Sequence, residues 1–313
     1  MKVVIQIPCL NEERTLPDVL ASIPRVIDGV DELVILVIDD GSTDRTAAVA
    51  RELGVDHVLR HTRTMGLARS FRDGVDWALS QGADILVNTD GDNQYPQDRI
   101  PDLLRPVREG VADIVIADRQ TATIAHFSPF KRWMQRVGSA VVSKASDTRL
   151  PDAASGFRAY SRASLLRLNV VTDFSYCMET IIQAGHKRLR VASVPVTTNP
   201  RTRESRLFRN SFQHMLHSAS AIVRSYLMFK PRLVFAWLAA VFGLAALVPA
   251  VRFLVLWIVE GADGHIQSLI FAAIMAVAAL LAAALGVLSD LQRTNRVLLE
   301  DQLERIKKLQ YGD

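Results

Sequence analysis

The sequence predicts an α/β fold: an open, mostly parallel, Rossmann-like sheet with helices on both faces, followed by an amphipathic helix and two transmembrane helices. Three observations carry this. Short apolar runs each end in a polar cluster and lead into a stretch of helical spacing. Strand and helix patterns alternate, the signature of a doubly wound sheet. The last third of the chain holds two long segments almost free of charge.

The first strand is Val3-Val4-Ile5-Gln6-Ile7, ending in Pro8-Cys9-Leu10-Asn11-Glu12-Glu13. Leu33-Val34-Ile35-Leu36-Val37-Ile38 follows and ends in Asp39-Asp40-Gly41-Ser42-Thr43-Asp44. A later run, Ile85-Leu86-Val87-Asn88-Thr89, ends in Asp90-Gly91-Asp92-Asn93-Gln94-Tyr95-Pro96, and another at residues 113–117 precedes Arg119. Continuous β-branched runs of this kind are strands buried on both faces of a parallel sheet. Leu16, Val19, Leu20 and Ile23, and then Ala47, Val49, Ala50 and Leu53, recur at helical spacing. Thr43 is the expected N-cap of the second helix, with Asp44 in its first turn.

In open α/β sheets ligands bind beyond the carboxyl ends of the strands. One crevice is therefore expected to collect Glu12, Asp39, Asp40, Asp90, Asp92 and Gln94. Carboxylates one residue apart repel unless a cation lies between them, and hard oxygen donors from Asp and Gln suit Mg²⁺ or Mn²⁺. Asp90, Asp92 and Gln94 are the expected metal ligands, with coordination positions left for phosphate oxygens. A plain polar turn is the alternative for D-x-D alone; the preceding apolar strand and the second acidic turn favour a site.

The ordered set P-C-L-N-E-E, D-D-G-S-T-D and D-G-D-N-Q-Y-P resembles family 2 glycosyltransferases of the GT-A fold. Within that family it is most similar to the dolichol-phosphate mannose synthases and the bacterial polyprenyl-phosphate glycosyltransferases. Leu150-Pro151-Asp152-Ala153-Ala154-Ser155-Gly156-Phe157-Arg158 is similar to that subgroup's D-x-x-S-G-F-R segment, and the likeness spans about residues 1 to 230. The chain departs from the pattern at Leu10, where an aromatic is common, and at Thr64, where Asn is common.

The resemblance implies inverting, single-step transfer from a nucleotide sugar, a UDP-sugar before a GDP-sugar, to a polyprenyl phosphate. It places Pro8, Leu10, Asn11, Glu12, Asp39, Asp40 and Asp90 around the nucleotide. Asp90, Asp92, Arg119 and Glu179 become the expected catalytic residues, Glu179 orienting a cation or acting as a base. Lys131, Arg132 and Ser139, with the cluster Arg201, Arg203 and Arg206, are the expected acceptor-phosphate contacts. That last cluster only approximates the family's R-x-x-G-x-[ST]-K, since it has no Gly. Two other functions fit the residues: transfer to a sugar hydroxyl in polysaccharide or glycolipid assembly, and non-catalytic nucleotide-sugar binding at a membrane.

Composition narrows the setting. A net charge of +4, with no basic run interleaved with aromatics, is too small to argue for a nucleic-acid partner, and none is expected. Cys9 and Cys177 offer neither a disulfide framework nor zinc spacing, so a reducing compartment is expected. Residues 233–259 are apolar apart from Arg252, and residues 268–288 carry no charge; each exceeds or matches the ~20 residues that cross a bilayer. Pro249 is expected to end or kink the first span, and Arg252 to snorkel to the outer interface. The connection at residues 260–267 lacks Lys and Arg, whereas Arg224, Lys230 and Arg232 flank one side and Arg293 and Arg296 the other. The positive-inside rule then puts the catalytic domain and both termini in the cytosol, on the cell membrane.

Phe208, Phe212, Met215, Ala219, Ile222 and Tyr226 recur as one face of an amphipathic helix at the membrane surface. The expected domains are residues 1–206, catalytic; 207–230, juxtamembrane helix; 231–289, transmembrane hairpin; and 290–313, a charged helix. In the last, Leu299, Leu303 and Ile306 have a coiled-coil-like spacing that would serve a homo-oligomer.

Overall fold

The computed structural model describes residues 1–120, 152–171, 176–199, 231–261 and 266–312. The expectations for Lys131, Arg132, Ser139, Arg201, Arg203, Arg206 and the helix at 207–230 lie outside the described residues. The chain forms two compact units, one of residues 1–222 with 300–313 and one of residues 223–299.

The first unit is built on a seven-stranded sheet. Its strands are β1 (Lys2–Cys9), β2 (Glu32–Asp39), β3 (His57–Arg60), β4 (Ile85–Asn88), β5 (Ile114–Asp118), β6 (Arg158–Ser161) and β7 (Val191–Pro195). They lie in the order β3-β2-β1-β4-β6-β5-β7. Pairs β1–β2, β1–β4, β2–β3 and β5–β7 are parallel, while β6 runs antiparallel between β4 and β5. The expectation of an open, mostly parallel sheet holds, and β6 makes it mixed.

Among the described residues six α-helices accompany the strands: α1 (Leu16–Ser22), α2 (Thr46–Glu52), α3 (Leu67–Ser80), α4 (Ile100–Arg108), α5 (Arg162–Arg167) and α6 (Tyr176–His186). Val3, Ile5, Ile35, Val37, Leu86, Val87, Val115 and Ile116 are at most 1% exposed, so the central strands are covered on both faces. Strand order reverses between β1 and β4, and the crevice at their carboxyl ends is the switch point where such sheets bind ligands.

Two local expectations change. Thr43 does not cap α2, because Asn11 Oδ1 accepts from the Thr43 amide at 2.8 Å and draws that turn toward β1. Asp44 Oδ1 accepts from the Thr46 amide at 2.9 Å instead. Leu53 lies just beyond α2 and is exposed, so the apolar face ends at Ala50.

The first unit also takes in the end of the chain. The tail docks with its polar side, not with the Leu299, Leu303 and Ile306 stripe, whose residues are exposed. Glu300 pairs with Lys187 and Glu304 with Arg167 at 3.7 and 3.6 Å. Lys307 Nζ donates to the carbonyl of Leu168 at 2.8 Å, just past the end of α5, and Arg162 Nη2 donates to the carbonyl of Tyr311 at 2.6 Å. A cation at a helix C-terminus is electrostatically favourable.

The second unit is made by α7 (Pro231–Glu260) and the greater part of α8 (Ile266–Tyr311), both long and apolar enough to cross a membrane. Helix α7 continues through Pro249 to Glu260, so of the two expected effects Pro249 does not end the helix. Its side chains are largely uncovered, Trp237, Leu244 and Val248 among them. Arg232 Nη2 donates to Asp290 Oδ2 at 2.5 Å, and a Cβ on Gly286 would lie 3.1 Å from that of Phe235. The start of α7 therefore packs against residues 286–290 of α8, as an antiparallel hairpin requires.

Candidate active site

Three turns, after β1, β2 and β3, are stitched together at one end of the sheet. The Asn11 backbone, in the left-handed region at φ 57°, turns the chain sharply out of β1. Its amide donates to Ser42 Oγ at 2.9 Å, while its side-chain carbonyl holds the Thr43 amide. Glu12 is buried, and its amide donates to Thr46 Oγ1 at 2.8 Å. Thr15 Oγ1 lies 2.8 Å from both the Glu12 carboxylate and the Gly91 carbonyl, tying the β1 turn to the one after β4. Pro8 is buried at the end of β1, and Leu10 beside it is 38% exposed. Gly41 has φ 75°, and a Cβ there would come within 2.5 Å of the Arg63 carbonyl carbon, so the β2 and β3 turns touch backbone to backbone.

Asp39 and Asp40 were expected to share one role, and their surroundings differ. Asp39 is fully buried; its Oδ1 accepts from the Ser42 amide at 2.9 Å. Arg60 Nε lies 3.0 Å from Asp39 Oδ2 as an ion pair, without hydrogen-bond alignment. Asp40 is fully engaged by the loop after β3. It accepts from the amides of Met65 and Gly66, both at 2.8 Å, and His61 Nδ1 lies 2.7 Å from it. His61 Nε2 reaches Asp73 at 3.1 Å, and Arg69 Nε donates to the same carboxylate at 2.7 Å. The sequence reading missed His61 and Asp73; only the i, i+4 spacing of Arg69 and Asp73 was legible.

The turn after β4 carries Asp90, Asp92 and Gln94, and brings the two carboxylates near each other. Neither Asp90 oxygen accepts a hydrogen bond among the described residues. Burial, then the nearby Asp92, pushes Asp90 up to about 7, with Arg119 pulling the other way. Asp92 Oδ1 accepts from the Gln94 amide at 3.1 Å, and Asn93 between them has φ 57°. Gly156 permits a close approach: a Cβ there would lie 3.1 and 3.2 Å from the two Asp90 oxygens. A carboxylate crowded by another and without a proton donor fits a divalent cation, and the three donors are hard oxygens. No group of three His, Cys, Asp or Glu side chains suited to a metal occurs among the described residues, so the amide oxygen of Gln94 is needed to complete a trio.

Arg119 follows β5 and grips Asp152 with two bonds, Nε to Oδ2 at 2.7 Å and Nη2 to Oδ1 at 3.0 Å. Burial opposes its charge, but Tyr95 and Asp152 raise its proton affinity further, so it is a fixed cation. Arg158 is fully buried. It donates to the carbonyls of Ser155, Cys177 and Ala153 at 2.7 to 2.9 Å, which pins residues 153–155 to α6. Asn88 adds a second pin, donating to the Gly156 carbonyl at 2.9 Å and to Tyr176 Oη at 2.8 Å. The roles of Asp152 as a partner and of Arg158 as an anchor were invisible in sequence.

Glu179 is buried on α6, where its carboxylate accepts from the Val171 amide at 3.1 Å and from Gln183 Nε2 at 3.3 Å. These contacts fasten the chain entering α6 and occupy the group expected to orient a cation or act as a base.

The model of glycosyl transferase family 2 matches residues 4–168, just over half of the chain. A polyprenol monophosphomannose synthase of Mycolicibacterium smegmatis is 31% identical over 219 residues, covering 64% of this chain and 78% of its own. An undecaprenyl-phosphate mannosyltransferase of Micrococcus luteus is 32% identical over 208 residues, covering 63% and 83%. Among solved structures, glucosyl-3-phosphoglycerate synthase of Mycobacterium tuberculosis, in complex with Mn²⁺, UDP-glucose and phosphoglyceric acid, aligns with a TM-score of 0.56. That likeness is 22% identical, covers 72% of this chain and 78% of the other, and shows a shared GT-A-like fold.

Proposed function

Because the chain belongs to glycosyl transferase family 2, we propose that it transfers a sugar from a nucleotide sugar to a polyprenyl phosphate at the cytosolic face of the cell membrane. The observation that carries this reading is Asp90: a carboxylate at the end of β4, crowded by Asp92 and without a hydrogen-bond donor among the described residues. A donor diphosphate and its cation answer that arrangement. The relatives named for polyprenyl-phosphate acceptors, and two helices able to cross a membrane, support a lipid acceptor.

Asp90, Asp92 and Gln94 would hold Mg²⁺ or Mn²⁺, which when bound acts as a Lewis acid toward the leaving diphosphate. Asp39 and the Pro8–Glu12 turn border the nucleotide, and Asp40 shapes its pocket by holding the Met65 and Gly66 amides. Arg119, fixed by Asp152, keeps Nη1 without a partner among the described residues and supplies charge to a phosphate oxygen. The sugar's anomeric carbon is attacked in line by a phosphate oxygen, inverting its configuration. A phosphate monoester is mostly dianionic near neutral pH, so no strong base is needed. The structural employment of Glu179 agrees with that. Arg201, Arg203 and Arg206, with Lys131, Arg132 and Ser139, are proposed to hold the acceptor phosphate.

The deciding experiment incubates purified protein with a panel of radiolabelled UDP- and GDP-sugars and a polyprenyl phosphate. The expected result is label in a single lipid-extractable monosaccharide product, lost on chelation. Label confined to polymer, or to free sugar, overturns the lipid acceptor.

A further inference from the structure

The turn that carries Asp92 and Gln94 is held from outside by one residue over 100 positions away in sequence. The Asn199 amide donates to the Gln94 carbonyl at 2.9 Å. Its side-chain Nδ2 donates to the Asn93 carbonyl at 3.1 Å and to the Tyr95 carbonyl at 3.3 Å. Three consecutive carbonyls thus face a single residue, and both protons of its carboxamide are used. Asn199 is itself placed by β7, after which the Val196 amide donates to the Asp118 carbonyl at 2.8 Å.

We infer that Asn199 is a positioning residue for the cation-holding turn, setting the separation of the Asp92 and Gln94 side chains through the backbone between them. The inference rests on the proposed metal role of Asp90, Asp92 and Gln94. Inside the turn, Asp92 Oδ1 accepts from the Gln94 amide, and Asn93 is left-handed. Gln97 Nε2 steadies the far end, donating to the Tyr95 carbonyl at 3.1 Å. The donors to the Asn93 and Gln94 carbonyls come from Asn199, outside the turn, and a non-Gly residue in the left-handed region holds only where its surroundings define it. The Asn199 carboxamide supplies that definition.

The test measures Mn²⁺ binding to the full-length protein by electron paramagnetic resonance, with UDP or GDP present. Asn199→Ala is expected to weaken Mn²⁺ about 10- to 100-fold, as loss of outer-shell support typically does. Turnover at saturating Mn²⁺ and the melting temperature should stay near wild type. Asn199→Gln, which keeps the carboxamide, should recover part of the affinity, and Thr198→Ala should bind as wild type does. Wild-type Mn²⁺ affinity in Asn199→Ala overturns the inference. Should that variant misfold, Asn199→Leu, similar in bulk and without donors, takes its place; misfolding of both overturns a role confined to the turn. If the wild type binds no Mn²⁺ with either nucleotide, the metal reading itself fails, and the inference with it.

Discussion

Arg119 and Asp152, 33 residues apart, meet as a bidentate pair with bonds of 2.7 and 3.0 Å at the edge of the acid-rich crevice. The planar guanidinium matches the carboxylate in two places, which fixes its orientation as well as its charge. Arg119→Lys keeps the charge and loses the fork. Its turnover is expected to fall about 100- to 1000-fold, the scale for removing a preorganised charge-stabilising donor. Asp152→Asn should cost less, since an amide oxygen still accepts one bond. Steady-state rates with saturating donor check the ranking, and wild-type turnover in Arg119→Lys would remove Arg119 from the chemistry.

The turn after β4 carries a pH signature. Asp90 sits at about 7 in the folded protein against an ordinary 3.8, so the folded state keeps a proton that the unfolded chain releases. Stability of the metal-free protein is therefore expected to fall as pH rises from about 4 to about 7. A divalent cation requires the ionised carboxylate, so its affinity should fall as pH drops below about 7. Melting curves with EDTA, and with Mn²⁺ plus nucleotide, test both signs; Asp90→Asn should flatten both.

His61 and Asp40 differ from Asp39 in what they should do. His61→Gln loosens the loop after β3 without touching the proposed cation ligands. Donor KM is expected to rise about 5- to 20-fold while kcat changes little, the scale of a lost charge-assisted bond. Asp40→Asn removes the charge that three donors share and should also lower the melting temperature. Asp39→Asn should raise donor KM with a smaller thermal effect. Equal donor KM in all three variants and the wild type would place the nucleotide elsewhere.

Membrane orientation is open to chemical labelling. The Arg232–Asp290 contact puts both ends of the hairpin side by side. A cysteine at Gly261 is expected to react with an impermeant reagent from outside intact cells, and one at Arg305 only after lysis. The reverse pattern would reject a cytosolic catalytic domain.

The docked tail makes the end of the chain part of the sheet unit. Lys307→Met removes the donor to the Leu168 carbonyl and should lower stability by about 1–2 kcal/mol, less than for a fully buried charged bond. Leu303→Gln, on the exposed stripe, should leave the melting temperature unchanged. Light scattering of that variant tests the expected homo-oligomer: a shift to monomer would assign the stripe to self-association.

The amino-acid sequence alone determined the layered sheet, the acid clusters at its carboxyl edge and the two membrane-length helices. Each is written in local pattern: β-branched runs too apolar to expose, polar residues that must leave the core where a strand ends, and charge-free stretches of bilayer length. What the tertiary structure decided are relations between chemically similar or distant groups. Asp39 and Asp40 are identical neighbours in sequence, yet successive residues leaving a strand meet different surroundings. One therefore faces Ser42 and Arg60, and the other is taken by the β3 loop. Arg119 finds Asp152, Asn199 finds the turn at 93–95 and Lys307 finds the end of α5 only once the sheet has closed. The left-handed turns at Asn11 and Asn93 also have distant partners, Ser42 and Thr43 for the first and Asn199 for the second, because a conformation that L-residues rarely adopt holds only where its surroundings define it.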